Sequence, residues 1–135
     1  MITTGDVYCI LRKICEQFGI AEIYDGLDEP KGKIKSERIV IRTGSQSNGK
    51  IWEKSFININ FCTPLNVDGS ANTVRLNEIE QIVKPVFKYG DVVKYNGSTC
   101  SYENGGDNWM SREADTALKC HYVNVRILFQ VLNVK

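Results

Sequence analysis

The chain has a single histidine, His121, and it follows directly after Cys120. A thiol beside an imidazole is a familiar arrangement for nucleophilic catalysis, because the ring can take the sulfur's proton. On a strand, however, adjacent side chains point to opposite faces, so Cys120 and His121 cannot act on one another. Cys62, on a neighbouring strand, is a geometrically conceivable partner for His121, but no third group is evident to orient the ring. One histidine also rules out multi-histidine metal sites. Asp25, Asp28 and Glu29 gather near Pro30 and could hold a cation, although a solvated acidic turn is the commoner outcome of such a cluster. Dinucleotide-binding, P-loop and nucleophile-elbow signatures are absent from the sequence. The expectation is a chain without catalytic residues, cofactor or metal centre.

Two features suit contacts better than catalysis. Trp109 and Met110 stand in the middle of a polar, glycine-rich stretch, residues 102–116, where a bulky pair has no obvious core to join. Loops carry binding residues disproportionately, and tryptophan is an enriched interface anchor. Two readings stay open: a subunit-interface anchor, or a lid folded over the open end of a sheet. The second feature is a basic bias over residues 31–54, with Lys31, Lys33, Lys35, Arg38, Arg42, Lys50 and Lys54 against Glu37 and Glu53. A solvated hairpin face accounts for it more simply than a phosphate-binding patch. Its tip, residues 44–49, could reach a neighbouring subunit, with Arg38, Arg42 and Lys50 as contact cations beside Trp109 and Met110. The competing classes are a small-ligand or enzymatic site around Tyr102, Trp109 and His121, and a nucleic-acid binder using Lys33, Lys35, Arg38 and Arg42.

The composition bounds these readings. A chain of 135 residues with 42% hydrophobic and 24% charged residues is ordinary for one folded domain and has no need of staples. Net charge is +1, so nothing global directs the chain to nucleic acid or membrane. Five cysteines are an odd number without a C-x-x-C pair, and three lie in apolar patterns, where a free thiol behaves as a small hydrophobe. No leader-like start and no run near the roughly 20 apolar residues of a bilayer span is present. The simplest expectation is an intracellular protein with reduced thiols.

The elements that position these residues are legible from periodicity. Thr3 and Asp6 form a capping box before Val7, Ile10, Leu11, Ile14, Cys15 and Phe18, which recur at helical spacing until Gly19. A short ambiguous run follows at 20–27. Strands are predicted at 36–43 and 51–62, joined by a polar turn at 44–50, with Pro64 ending the second. Asn72 or Thr73 caps a second helix with Leu76, Ile79, Ile82 and Val83 inward, which Pro85 should end or kink. Residues 91–102 resume strand character around an Asn96-Gly97 tight turn. The final stretch, 119–134, alternates strictly: Val123, Val125, Ile127, Phe129 and Val131 share one face. So long a strand with so apolar a face belongs in the middle of a sheet. The predicted fold is one α+β domain over residues 1–135, a mainly antiparallel sheet of about four to five strands with two α-helices packed against it.

The order of these elements, the hairpin strand WEKSFININF, the helix LNEIEQIV and the ending CHYVNVRILFQVLN together resemble small bacteriophage tail-completion proteins. These are the tail-terminator and head–tail joining proteins of phages and prophages. The resemblance covers nearly the whole chain through patterns of strands and helices, not signature residues. It implies an α+β subunit that assembles into a ring, typically a hexamer, and caps the tail tube or joins it to the head. It brings no catalytic residue or cofactor. The implied partners are other copies of the chain and neighbouring tail or neck proteins. No membrane is involved, and nucleic acid enters only as DNA passing through the ring. The implied location is the virion tail, reached through the bacterial host cytoplasm during assembly.

Overall fold

The capping box forms as the sequence requires. Thr3 Oγ1 accepts the Asp6 amide at 3.1 Å and the Asp6 carboxylate accepts the Thr3 amide at 3.0 Å. The computed structural model describes residues 2–43 and 54–132. From the cap, α1 runs Thr4–Cys15 with Val7, Ile10, Leu11 and Cys15 buried, and passes into a 3₁₀ turn, Glu16–Phe18. Gly19 ends it at φ 75°, a left-handed conformation that costs glycine little.

Among the described residues seven strands follow: β1 Glu22–Asp25, β2 Arg38–Arg42, β3 Lys54–Pro64, β4 Asp91–Tyr95, β5 Ser98–Asn104, β6 Met110–Asp115 and β7 Cys120–Val131. Between β3 and β4 lies α2, Thr73–Tyr89, capped by Asn72, whose Oδ1 accepts the Arg75 amide. The sheet order is β1-β2-β3-β7-β5-β4, with β6 also on β7. The α+β class and the two helices stand, but the sheet has more strands than the predicted four to five, and β1 pairs with β2 in parallel.

The extra strands come from segments that alternation could not mark. In β6 every side chain is exposed or half-buried, so its sequence MSREAD reads as loop. Only the backbone ladder to β7, from Met110↔Val125 to Asp115↔Cys120, makes it a strand. Asn96 and Gly97, at φ 47° and 80°, make the two-residue turn that separates β4 from β5.

The β7 strand is central. It pairs with β3 along its length, and its other edge is shared by β6 and β5. Val123, Val125, Ile127, Phe129 and Val131 are all buried. They meet Ile57, Ile59 and Phe61 of β3, Ile39 and Ile41 of β2, and the inner faces of both helices in one core. Phe18 lies edge-on to Phe61 at 5.5 Å and tilted against Phe87 at 6.0 Å.

Two details of α2 differ from expectation. The buried row of α2 is Leu76, Ile79, Val83 and Phe87, whereas Ile82 is 42% exposed, about 100° around the helix from Val83. The helix also runs through Pro85 to Tyr89. Proline deletes one amide but leaves those of residues 86–89, and burial of Phe87 against Phe18 and Tyr102 holds the last turn. Pro64 occupies the last position of β3, opposite Cys120, and the strand ends there as expected.

Among the described residues, the second face of the sheet is covered only at one end. There Ile34, Val40, Cys62, Leu118 and Cys120 form a smaller core. Beyond it the surface is polar, where Asn124 donates to Asn60 at 2.7 Å and to Asn58 at 3.3 Å across the β3–β7 ladder.

Candidate functional site

The stretch read as a long loop, 102–116, is mostly strand. Because β5 and β6 lie end to end along the same edge of β7, the chain leaves the sheet only for residues 105–109. One residue closes this excursion from both sides. The Gly105 amide donates to the Arg126 carbonyl at 2.9 Å, and the Arg126 amide donates to the Trp109 carbonyl at 2.7 Å. The Arg126 guanidinium then reaches into the loop and donates to the Gly105 and Asp107 carbonyls at 2.9 and 3.2 Å. It also lies 4.9 Å from the centre of the Phe56 ring, over its face.

This closeness explains the glycine. A Cβ at Gly105 would sit 2.8 Å from the Arg126 carbonyl oxygen. Gly106 and Asn108 adopt positive φ, 92° and 57°, which lets so few residues turn back into the ladder. Asn104 ties the base of the loop to α2, accepting from the Gly106 amide and donating to the Lys88 carbonyl at 2.6 Å.

The loop presents Trp109 and Met110, both half-buried and packed on the main core. With Glu80, Lys84 and Asn108 they line an open groove of about 300 Å³ between the loop and α2. Arg112 joins the same two elements through an ion pair to Glu80 at 2.7 Å. One side of Trp109 rests on the core and the other faces the groove.

The predicted contact cations are elsewhere. Arg38 is only 6% exposed, on the opposite face of the sheet. It donates to the Pro30 carbonyl at 2.9 Å, lies 3.8 Å from the Glu29 carboxylate and stacks over Tyr24 at 5.2 Å. Arg42 is ion-paired with the same Glu29. Both arginines tie the acidic turn to the sheet through Glu29, Arg38 from a buried position and Arg42 from an exposed one. Lys50 and the hairpin tip lie outside the described residues.

The enzymatic constellation does not assemble either. Tyr102 is buried against Phe87. His121 stands opposite Ala114 while Met110 stands opposite Val125, four strand residues and roughly 13 Å apart. The Cys62–His121 pair is excluded by register. Cys62 faces Tyr122 across the ladder and His121 faces Thr63, so the thiol and the imidazole point to opposite sides.

What Cys62 meets is Cys120. The two thiols lie together in the smaller core, and their interaction pushes the Cys62 thiol up and lowers that of Cys120 below the ordinary thiol value. This dithiol and the Arg126 clamp were missed by sequence reasoning. Their signals were present, in two cysteines on facing strands and an arginine in the outward row of an apolar strand, but only the register connects them. Among the described residues no group of three histidine, cysteine or acidic side chains is placed to hold a metal ion, and no helix is long and apolar enough to cross a membrane. No family model, no curated protein and no solved structure matches this chain.

Proposed function

We propose that this chain is a structural subunit of a phage or prophage tail, of the tail-completion, tail-terminator or head–tail joining kind, which works by assembling into a ring. The element order supports the reading: a capped helix, the β2–β3 pair, a second helix and a final central strand follow the order on which the resemblance rests.

The observation that carries the assembly reading lies on α2. A head-to-tail ring needs two different surfaces on each subunit, since heterologous contacts close rings. One flank of α2 carries Glu80 and Lys84 beside the Trp109 groove. Roughly opposite, at about 100° per residue, Ile82 and Tyr89 stand two turns apart in solvent, Tyr89 at 78% exposure, and Val92 follows at 55% on the edge strand β4. Contiguous exposed apolar patches mark interaction surfaces, and these three side chains are the candidates for one. In the ring, the Ile82–Tyr89 row of one subunit packs toward the Trp109–Met110 groove of the next. This replaces the basic hairpin as the second surface, because Arg38 and Arg42 are engaged within their own subunit.

Light scattering over a range of protein concentrations tests this. The native chain is expected to form rings, and Ile82→Asp and Trp109→Ala to abolish them. Ile82→Asp should lower the monomer melting temperature only modestly, since the side chain is 42% exposed, and Tyr89→Asp, at 78% exposure, should leave it unchanged. A native chain that stays monomeric at every concentration and in the presence of tail or neck proteins refutes the proposal. The groove also favours a second reading, a small-ligand site at the 102–116 segment. Saturable quenching of Trp109 fluorescence by a compound library, with no self-association, would select it.

A further inference from the structure

At the covered end of the second face, a backbone hydrogen bond brings Lys119 beside a lysine-rich stretch distant in sequence. The Ile34 amide donates to the Leu118 carbonyl at 3.0 Å. Ile34 and Leu118 turn inward to the smaller core. Their neighbours Lys33, Lys35 and Lys119 are therefore turned outward, and all three border one cavity of about 520 Å³. Its remaining wall comes from the end of β3 and the loop after it, with Pro64, Leu65 and Val67 as its apolar part.

Two facts make this more than a scatter of surface lysines. Lys119 is held at φ 53°, a left-handed conformation that is unfavourable for a residue with a side chain. The turn that holds it is fixed by Asp115, whose carboxylate accepts the Leu118 amide at 2.9 Å. The opposing loop is fixed as well: Asn66 bonds Ser70 and the Ala71 carbonyl, and Asp68 takes both the Ser70 amide and its hydroxyl. Among the described residues, none of the three ammonium groups has a carboxylate within ion-pair distance, while the nearby Glu37 is taken by Arg75. Three like charges held around one concavity repel each other, and a single anion between them relieves all three. The size falls in the range of ligand pockets, and the apolar wall suits a body heavier than a bare ion.

We propose that this cavity binds a small organic anion, a compact dianionic head such as a phosphate monoester carried on an apolar body. The head sits among Lys33, Lys35 and Lys119, and the body lies against Pro64 and Leu65. The proposal is independent of ring assembly, since it uses neither the groove nor the outer row of α2.

Phenyl phosphate, inorganic phosphate and phenol, titrated separately into the full chain in a phosphate-free buffer, make the test, read by amide chemical shifts and calorimetry. Phenyl phosphate is expected to saturate and to shift the amides of Ile34, Leu65, Gly69 and Lys119, with inorganic phosphate weaker at the same amides and phenol silent. Each of Lys33→Ala, Lys35→Ala and Lys119→Ala should weaken phenyl phosphate about fivefold, the scale of one exposed ion pair, and the triple variant should not bind. Leu65→Ser should weaken phenyl phosphate and spare inorganic phosphate. Lys94→Ala, in a separate groove beside α1, should change nothing. The three lysines are exposed, so the variants keep the fold, which circular dichroism verifies. Binding that survives the triple variant, or phenol binding as well as phenyl phosphate, overturns the proposal. So does a triple variant that loses self-association while phenyl phosphate never binds, because the cavity is then a contact between copies.

Discussion

Replacing Arg126 by alanine should loosen the 105–109 loop without unfolding the sheet. The side chain donates two hydrogen bonds to loop carbonyls, both partly open to water, at 2.9 and 3.2 Å. Together they contribute about 2 kcal/mol at the usual net value of about 1 kcal/mol each. The stacking on Phe56, whose ring is 53% exposed, adds about 0.5–1 kcal/mol. Against this, Arg126 Nε is buried with no partner among the described residues, and removing it recovers about 1 kcal/mol. The net loss is about 2 kcal/mol, or roughly 30-fold in a local opening equilibrium. Both backbone bonds of Arg126, to Gly105 and Trp109, survive the substitution, so the loss stays local.

Amide hydrogen exchange provides the assay. Gly105 and Gly106 should exchange roughly 30-fold faster, while amides in the β3–β7 ladder keep their protection. In a Trp52→Phe background, Trp109 emission should move to longer wavelength as its inner side meets water. Unchanged exchange at Gly105 and Gly106 together with unchanged emission would show that the backbone pair alone orders the loop. The clamp reasoning then fails.

Three further outcomes are expected. Ile127→Ala, fully buried at the centre of β7, should cost about 2–5 kcal/mol by denaturant unfolding, and an unchanged midpoint contradicts the core assignment. Gly90→Ala should cost about 3 kcal/mol or more, since a Cβ there is strained at φ 67° and collides with the Tyr102 carbonyl; Gly97→Ala, at φ 80° with open space, should cost only about 1–2 kcal/mol. Among the thiols, iodoacetamide at pH 8 should label the exposed Cys9 and spare Cys15, whose burial pushes its thiol up to about 12. Unfolded Cys15 ionises from about pH 8.5 while the folded thiol does not, so it contributes a loss of stability as pH rises from there toward 12. Cys15→Ala should flatten that alkaline limb, and equal labelling of Cys9 and Cys15 in the native protein refutes the assignment.

The sequence by itself determined the elements whose signal is local. The Thr3–Asp6 box, the Gly19 stop, the Asn72 cap, the Asn96-Gly97 turn and the alternating face of β7 follow from caps, φ preferences and period, and all appear where expected. Tertiary structure decided everything that depends on register and on which face is covered. The β6 strand has no alternation to betray it, because neither of its faces is buried and its ladder to β7 alone defines it. Arg38 and Arg42 look like exposed cations in a basic hairpin. Both pair with Glu29, Arg38 buried and Arg42 still exposed, because the 26–37 segment folds over the second face of the sheet. In the same way Arg126 met the loop, Cys62 met Cys120, and Lys33 and Lys35 met Lys119, contacts between residues far apart in the chain. A residue's type sets what it can do, but long-range pairing sets what it faces, and composition and period carry no record of that pairing.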